Sequence, residues 1–222
     1  LRGTIVTPDT FFTGEVLIRG DTLGCVAASC SGESDYGTAT IVDTGALVFP
    51  GLIDTHIHYP QTQVIGSYGE QLLEWLQKYT FVEEQKFADP AHAGRVAGFF
   101  VDELFRNGTT TAVVYCTVRP ESAEAFFAES HKRNARMIAG KVMMDRGAPE
   151  RLLDTAQHGY DETKALVERW HGRGRQHYAI TPRFALTSTE AQLEASGALL
   201  REHAQRKEGQ HLAEAFAEVT GA

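Results

Sequence analysis

The sequence predicts an α/β fold, because apolar β-prone runs alternate with amphipathic helical segments over most of its 222 residues. Repeated units with an apolar strand each time indicate a parallel sheet covered by helices. Side chains that can take part in catalysis or binding lie at the carboxyl ends of the predicted strands, namely His56-Ile57-His58, Cys116-Thr117, Asp145 and Arg183-Phe184. Chemistry at the carboxyl ends of strands is typical of a (β/α)8 TIM-type barrel. An open doubly wound sheet is the alternative, although the sequence contains no Gly-rich phosphate turn.

Two domains are predicted, a small β module over residues 1–48 and a barrel domain over residues 49–222. Within the module, residues 15–19 and 40–42 are β-prone and are separated by Gly, Ser and Asp loops. In the barrel domain, one strand ends at His58. We expect the next three at residues 109–117, 137–144 and 178–184.

Helix signals lie between these strands. Asp89-Pro90 provides an N-cap and a first helical position, and Asn107-Gly108 ends that helix. Shorter signals predict helices starting near residue 71 and over residues 120–135 and 149–173. A capping box formed by Thr187 and Glu190 begins a last helix, which ends near residue 203.

Composition narrows the classes of partner and compartment. The formal charge of -8 argues against binding to nucleic acid or to an anionic membrane. The sequence has no apolar stretch of membrane-spanning length. Cys25, Cys30 and Cys116 are too few and too irregularly spaced for a disulfide framework or a Cys-based zinc site. We therefore expect a reducing, cytoplasmic setting.

Two histidines, His56 and His58, close the first barrel strand. Residues two apart in a strand project from the same face, so both imidazoles can point at one ion. Such a pair is half of a divalent-metal site. Two half-buried polar residues at a sheet edge would have the same spacing. The Pro50-Gly51 turn and the apolar run into the histidines favour the metal site.

Seven ordered runs carry a family resemblance: residues 50–58, 59–61, 72–76, 79–81, 106–111, 140–145 and 181–184. In sequence they read PGLIDTHIH, YPQ, LLEWL, YTF, RNGTTT, GKVMMD and TPRF. Together they resemble the guanine deaminase branch of the amidohydrolase superfamily of metal-dependent hydrolases. The resemblance extends from about residue 48 to 189 and implies a βα-barrel hydrolase that acts on C–N bonds of cyclic amidines. Residues 1–47 are compatible with the flanking β domain of that family.

The resemblance implies one zinc ion per active site, with His56 and His58 as two of its ligands. His211, which opens the sequence His211-Leu212-Ala213-Glu214, would be a third ligand, and Glu214 would move protons. Because the two residues are three apart, they could instead simply share one face of a terminal helix. Zinc lowers the pKa of a bound water, and a carboxylate can take the released proton. The carbon that bears the exocyclic amine of guanine would then be attacked, giving xanthine and ammonia.

Gln61, Arg183 and Phe184 resemble the positions that bind the purine in this family. A planar guanidinium suits ring oxygen and nitrogen acceptors, and an aromatic face can stack on the base. Each residue also has a structural interpretation. Arg183 could bind a carboxylate across the barrel mouth, Phe184 could be core, and Gln61 could be a solvated side chain.

Two further residues have chemical alternatives. Lys141 could be a carbamylated metal bridge, as in other branches of the superfamily, or an ordinary strand lysine. Cys116 could be a nucleophile at a strand end, or a buried thiol.

The tail departs from the family pattern. Residues 201–210 are polar and lack β character, and Gln210 rather than Thr precedes His211. A whole barrel needs about 250 residues. We therefore expect a truncated chain with the first four or five βα units, open to pairing with another chain. The resemblance also suggests a homodimer. The alternatives to a guanine deaminase are a non-catalytic fragment with a two-His metal site and a deaminase of a pterin, a triazine or cytosine.

Overall fold

The computed structural model, which describes residues 1–69 and 71–204, divides into two units, Leu1–Gly51 and one that begins at Leu52. The first unit is a four-stranded sheet in the order β3-β2-β1-β4. Its strands are β1 (Arg2–Val6), β2 (Phe11–Arg19), β3 (Thr22–Ala27) and β4 (Asp43–Val48). Strand β1 pairs antiparallel with β2 and parallel with β4. The strand expected at residues 15–19 is confirmed within β2.

Two expectations for this unit were wrong. Residues 40–42 are not a strand, because β4 begins only at Asp43. Cys25 and Cys30 form a disulfide, with their Cα atoms 6.0 Å apart. The chain turns back after β3 and brings the two thiols together, which their irregular spacing did not indicate.

The described part of the second unit contains a sheet of four parallel strands, in the order β5-β6-β7-β9. They are β5 (Leu52–His58), β6 (Thr109–Tyr115), β7 (Arg136–Gly140) and β9 (Gln176–Tyr178). Short strands β8 (Val142–Met143) and β10 (Thr181–Pro182) continue β7 and β9 and pair parallel with each other. Neighbouring strands thus follow chain order, as in a (β/α)8 barrel, whereas a doubly wound sheet reverses its order at a switch point. The predicted partial barrel is confirmed.

Helices α3 (Pro90–Arg106), α4 (Pro120–Lys132), α5 (Ala156–Trp170) and α6 (Glu190–Ala204) cover the sheet. The Asp89 cap is confirmed, since its carboxylate accepts a hydrogen bond from the Ala91 N–H at 2.9 Å. The capping box at Thr187 was wrong. Thr189 caps α6 instead, and its hydroxyl accepts from the Gln192 N–H at 3.3 Å.

A winding segment links β5 to α3. It comprises α1 (Leu72–Trp75), a π-helical turn (Leu76–Thr80) and α2 (Phe81–Glu84). Single π turns inside helices occur frequently at functional sites. Among the helices that the structure describes, none combines the length and the apolar character needed to span a membrane.

The core lies between the sheet and its helices. Helix α3 packs on β6, α4 on β7 and α5 on β9. The Phe127 ring stacks on both Trp170 and Tyr178, with centroids 5.5 and 5.8 Å apart. All three aromatic side chains are buried. Burial of each contributes roughly 1.5–3 kcal/mol, which holds the helices in place behind the strands.

The third strand was predicted to be continuous over residues 137–144, but it breaks at Lys141. The break coincides with a close approach of the chain to the fourth strand. A Cβ atom added at Gly140 would lie only 2.0 Å from the Ala179 carbonyl oxygen. The Tyr178 hydroxyl also accepts a hydrogen bond from the Lys141 N–H at 3.0 Å. Glycine at position 140 therefore allows the third and fourth strands to meet.

Candidate active site

The two histidines of the first barrel strand lie beside an aromatic residue of the second. His58 pairs in register with Tyr115 at the carboxyl ends of β5 and β6. The His58 and Tyr115 rings stack at a centroid distance of 4.6 Å. The His56 ring lies 5.3 Å from the His58 ring and 5.0 Å from the Tyr115 ring. Two imidazoles and a phenol therefore share the mouth of the barrel segment.

The two imidazoles have different surroundings. His56 is exposed, whereas His58 is half-buried and its Nδ1 atom is buried without a hydrogen-bond partner. Burial, the nearby Arg183 cation and His56 together lower the pKa of His58 to about 3. The His58 imidazole is therefore neutral near pH 7, which is the form that binds a metal.

Arg183 is fixed by an ion pair with Glu84. Its Nη1 and Nη2 atoms donate to Glu84 Oε2 and Oε1 at 2.7 and 3.1 Å. The two side chains are only 5% and 1% exposed. The guanidinium also lies over the Phe81 ring, 5.3 Å from its centroid. The pair is thus a buried bidentate one, whose geometry fixes the plane of the guanidinium.

Gln61 reaches the same carboxylate from the short helix Tyr59–Val64 that follows β5. Its Nε2 donates to Glu84 Oε1 at 3.4 Å. An ionised carboxylate only accepts hydrogen bonds, so the amide of Gln61 turns its NH2 group towards Glu84. One carboxylate therefore orients two polar side chains from distant parts of the chain.

These side chains surround one cavity of about 300 Å³. It contains all the predicted site residues that lie in the described part of the chain. The lining consists of His56, His58, Gln61, Leu72, Trp75, Leu76, Tyr115, Arg183 and Phe184. Polar groups on one part of the wall and aromatic rings on another suit a flat, polar heterocycle.

Comparison with known proteins identifies the family of the chain that contains this cavity. A model described as "Amidohydrolase family" matches residues 47–219. The chain belongs to the amidohydrolase family. Amidohydrolases are generally metal-dependent. One solved structure with a similar fold, an adenosine deaminase from Xanthomonas campestris, carries bound zinc. Its identity to this chain is 16% and its TM-score is 0.68, so this likeness shows the fold alone.

More similar relatives of this amidohydrolase are guanine deaminases. The Escherichia coli enzyme is 50% identical over 190 residues, which is 82% of this chain and 43% of that protein. A solved structure of E. coli guanine deaminase has a TM-score of 0.80 and 44% identity, covering 92% of this chain and 51% of that one. Guanine deaminase from C. acetobutylicum, with guanine bound in its active site, has a TM-score of 0.83 at 25% identity, covering 90% and 50%. The chain thus spans about half the length of the relatives it matches.

The side chains at the cavity show whether this amidohydrolase has donors that suit a metal ion. Across residues 1–69 and 71–204, no group of three or more His, Cys, Asp or Glu side chains could hold a metal ion. His56 and His58 nevertheless present two adjacent imidazoles, one with a buried, unpartnered nitrogen. That pair fits two positions of a tetrahedral site. The predicted partners His211 and Glu214 lie outside the described residues.

The structure assigns structural roles to Lys141 and Cys116, the two residues with alternative chemical roles in the sequence. Lys141 is fully buried, and its Nζ lies 2.5 Å from Asp154 and 3.2 Å from Glu162. This pairing directs the amine to one carboxylate just before α5 and to another within it, so the amine is already engaged in ion pairs. Cys116 is fully buried, and burial raises the pKa of its thiol far above the usual range. A neutral, inaccessible thiol is a core residue and not a nucleophile.

Besides the apolar lining residues Leu72, Trp75 and Leu76, sequence reasoning missed two polar residues, Tyr115 and Glu84. Tyr115 ends the second strand directly before Cys116, so the strand-end criterion could have found it. Glu84 lies in a short helix reading Phe81-Val82-Glu83-Glu84, which resembles an ordinary surface helix. Only the fold shows that its carboxylate is buried. For Arg183, the expected carboxylate contact is real and coexists with its place in the cavity wall.

Proposed function

We propose that this chain is a zinc-dependent guanine deaminase, which hydrolyses guanine to xanthine and ammonia. The supporting observation is the cavity, which gathers His56, His58, Gln61, Arg183 and Phe184 at the carboxyl ends of the barrel strands. That arrangement occurs in a chain that is half identical to a guanine deaminase over 190 residues.

His56 and His58 would hold the zinc ion, with His211 as the predicted third ligand. The bound ion supplies an activated water by lowering the pKa of that water to near neutrality. His58 is already neutral and desolvated, so it does not have to lose a proton before it binds. Glu214 remains the predicted group that takes and returns the proton.

The remaining cavity residues would bind and orient the base. The guanidinium of Arg183 can donate to the carbonyl oxygen of guanine, while Gln61 can accept from a ring N–H. Phe184 is half-buried and packs against the apolar cluster that contains Leu76 and Tyr115, and it also lines the cavity with an aromatic surface. Stacking on that surface would hold the ring flat, and burial would exclude water from its faces.

Activity and metal content test the proposal together. The purified chain, supplied with zinc, should convert guanine to xanthine with one ammonia released per turnover and should hold about one zinc per chain. His58→Ala should lose both properties, whereas His158→Ala, which changes an exposed histidine of α5, should retain them. Absence of xanthine and ammonia from the zinc-loaded chain would overturn the proposal.

Partners and location stay predictions. The negative charge agrees with a small-molecule partner rather than nucleic acid or an anionic membrane. Homodimer formation rests on the family resemblance alone. Cytoplasmic localisation was expected from the cysteine pattern, and the Cys25–Cys30 disulfide counts against a reducing compartment.

A further inference from the structure

We infer that Glu84 is a positioning residue that determines which heterocycle edge the cavity accepts, by setting the hydrogen-bond polarity of Gln61 and Arg183. The inference deepens the proposed function and rests on it. Glu84 is not among the residues lining the cavity, and it acts through two residues that do line it.

The Glu84 carboxylate restricts which groups its neighbours can direct towards it. Glu84 accepts from Arg183 Nη1 and Nη2 and from Gln61 Nε2. An ionised carboxylate has no proton to donate, so both neighbours must direct donors towards it. For Arg183 this holds the guanidinium in one plane. For Gln61 it decides between the two orientations of the amide.

The contacts with Glu84 leave other hydrogen-bonding groups of Gln61 and Arg183 available to a ligand. An amide whose NH2 group faces Glu84 presents its carbonyl oxygen on the other side, as an acceptor. A guanidinium has five N–H donors, and the contacts with Glu84 use two of them. The cavity wall thus offers an acceptor from Gln61 beside donors from Arg183.

This arrangement of the cavity wall is complementary to one chemical class of ligand. An adjacent ring N–H and C=O, as in the lactam edge of guanine, is complementary to an acceptor beside a donor. A purine that lacks the carbonyl, such as 2-aminopurine, has a bare ring nitrogen in place of the N–H. Its lone pair would face the Gln61 carbonyl oxygen, and a donor of Arg183 would remain unpaired. Sites built for such polar groups discriminate strongly against analogues that lack them.

The Glu84–Arg183 ion pair is almost completely buried, which strengthens its control over the orientation of the two neighbouring side chains. At 1% exposure for Glu84 and 5% for Arg183, water does not compete well for either partner. If Glu84 loses its charge, an amide in its place can donate as well as accept. Gln61 could then turn over, and the guanidinium would no longer be held at two points.

Base binding to the metal-free chain tests the inference independently of turnover. The intrinsic fluorescence of 2-aminopurine reports its own binding, and guanine is added as competitor. We expect the wild-type chain to prefer guanine by at least about tenfold. Glu84→Gln should reduce that preference to near unity, while Glu74→Gln, the same change at an exposed position of α1, should leave it intact.

Two further variants separate positioning from folding. Glu84→Asp keeps the charge but withdraws it by one methylene, so the preference should be intermediate. If Glu84→Gln does not fold, as judged by circular dichroism, Glu84→Asp decides the question. Glu84→Gln should reduce the preference for guanine less in an Arg183→Lys chain than in the wild type. The reason is that both changes disrupt the same Glu84–Arg183 pair.

Each outcome has one meaning. A folded Glu84→Gln chain that keeps the wild-type preference, or a Glu84→Asp chain that keeps it when Glu84→Gln is unfolded, overturns the role of Glu84. A wild-type chain with no preference for guanine overturns the proposed substrate and the inference together. A wild-type chain that prefers guanine through Glu84 but releases no ammonia overturns only the proposed deaminase activity.

Discussion

The imidazole of His58 stacks on the phenol ring of Tyr115, with the two planes only 10° apart. Tyr115 is buried, and its burial raises the pKa of the phenol, so the ring stays neutral beside the histidine. The stack restricts rotation of the imidazole at the point where a metal would bind. Tyr115 therefore contributes to the orientation of a ligand without being one.

Replacement of Tyr115 by Ala should lower the affinity of the chain for zinc by about tenfold, a typical cost of removing a group that orients a ligand. Tyr115→Phe keeps the ring and should bind zinc like the wild type. Competition with a chromophoric chelator measures both affinities. Equal affinities for the Ala and Phe variants would contradict an orienting role.

The buried Lys141 predicts a large loss of stability when its charge is removed. Lys141→Met leaves Asp154 and Glu162 without their cation, and breaking a buried pair costs about 3–5 kcal/mol. Lys164→Met removes a cation from the exposed pair with Glu202 and should cost about 1 kcal/mol or less. Urea titrations give both free energies of unfolding. Similar costs for the two variants would show that the buried network does not stabilise the barrel segment.

The N-terminal unit should lose stability in acid through Glu15. Hydrogen bonds from the Tyr36 hydroxyl, the Cys30 N–H and Arg2 lower the pKa of Glu15 from 4.5 to about 2. The unfolded chain therefore binds a proton at higher pH than the folded one. The contribution is complete above about pH 4.5 and disappears as the pH falls towards 2.

Thermal unfolding between pH 2 and 7 tests this dependence. Glu15→Gln should unfold at a lower temperature than the wild type at pH 7, and the difference should vanish near pH 2. Glu33→Gln, which removes an exposed carboxylate of the same unit, should keep the wild-type acid dependence. A constant difference between Glu15→Gln and wild type across this range would refute the linkage.

The Cys25–Cys30 disulfide predicts sensitivity to reductant. Cys30 lies five positions after Cys25, and closing so short a loop contributes about 2 kcal/mol. Reductant should lower the free energy of unfolding of the wild type by that amount and should not affect the Cys25→Ser, Cys30→Ser double variant. Urea unfolding with and without reductant provides the measurement, and an unaffected wild type would argue that the bond does not stabilise the unit.

Local signals predicted much of the fold. The Asp89 cap and the Asn107-Gly108 stop define α3 correctly, because capping depends on neighbouring residues. The strand ending at His58 was also found, since an apolar run is a local property. Chain order then gives the order of the parallel strands, as each helical connection returns the chain beside the previous strand.

The features that were missed depend on distant contacts. Glu84 and Arg183 are 99 residues apart, so no local pattern indicates that they pair. The break at Lys141 coincides with the close approach of Gly140 to Ala179, which lies in a later segment. The cap of α6 differs for a smaller reason. Thr187 and Thr189 both suit an N-cap, and the position where the helix begins chooses between them.

The close approach of Gly140 to the fourth strand means that a substitution at Gly140, which does not line the cavity, can change how the cavity binds a base. Any side chain there would collide with the backbone at Ala179 and wedge the third and fourth strands apart. Arg183 follows the fourth strand directly, and its N–H donates to the Met143 carbonyl of the third at 3.2 Å. A single added methyl group at Gly140 would therefore shift the end of the fourth strand, and with it the Arg183 guanidinium. A screen for altered base selectivity could recover changes at a residue that never meets the ligand.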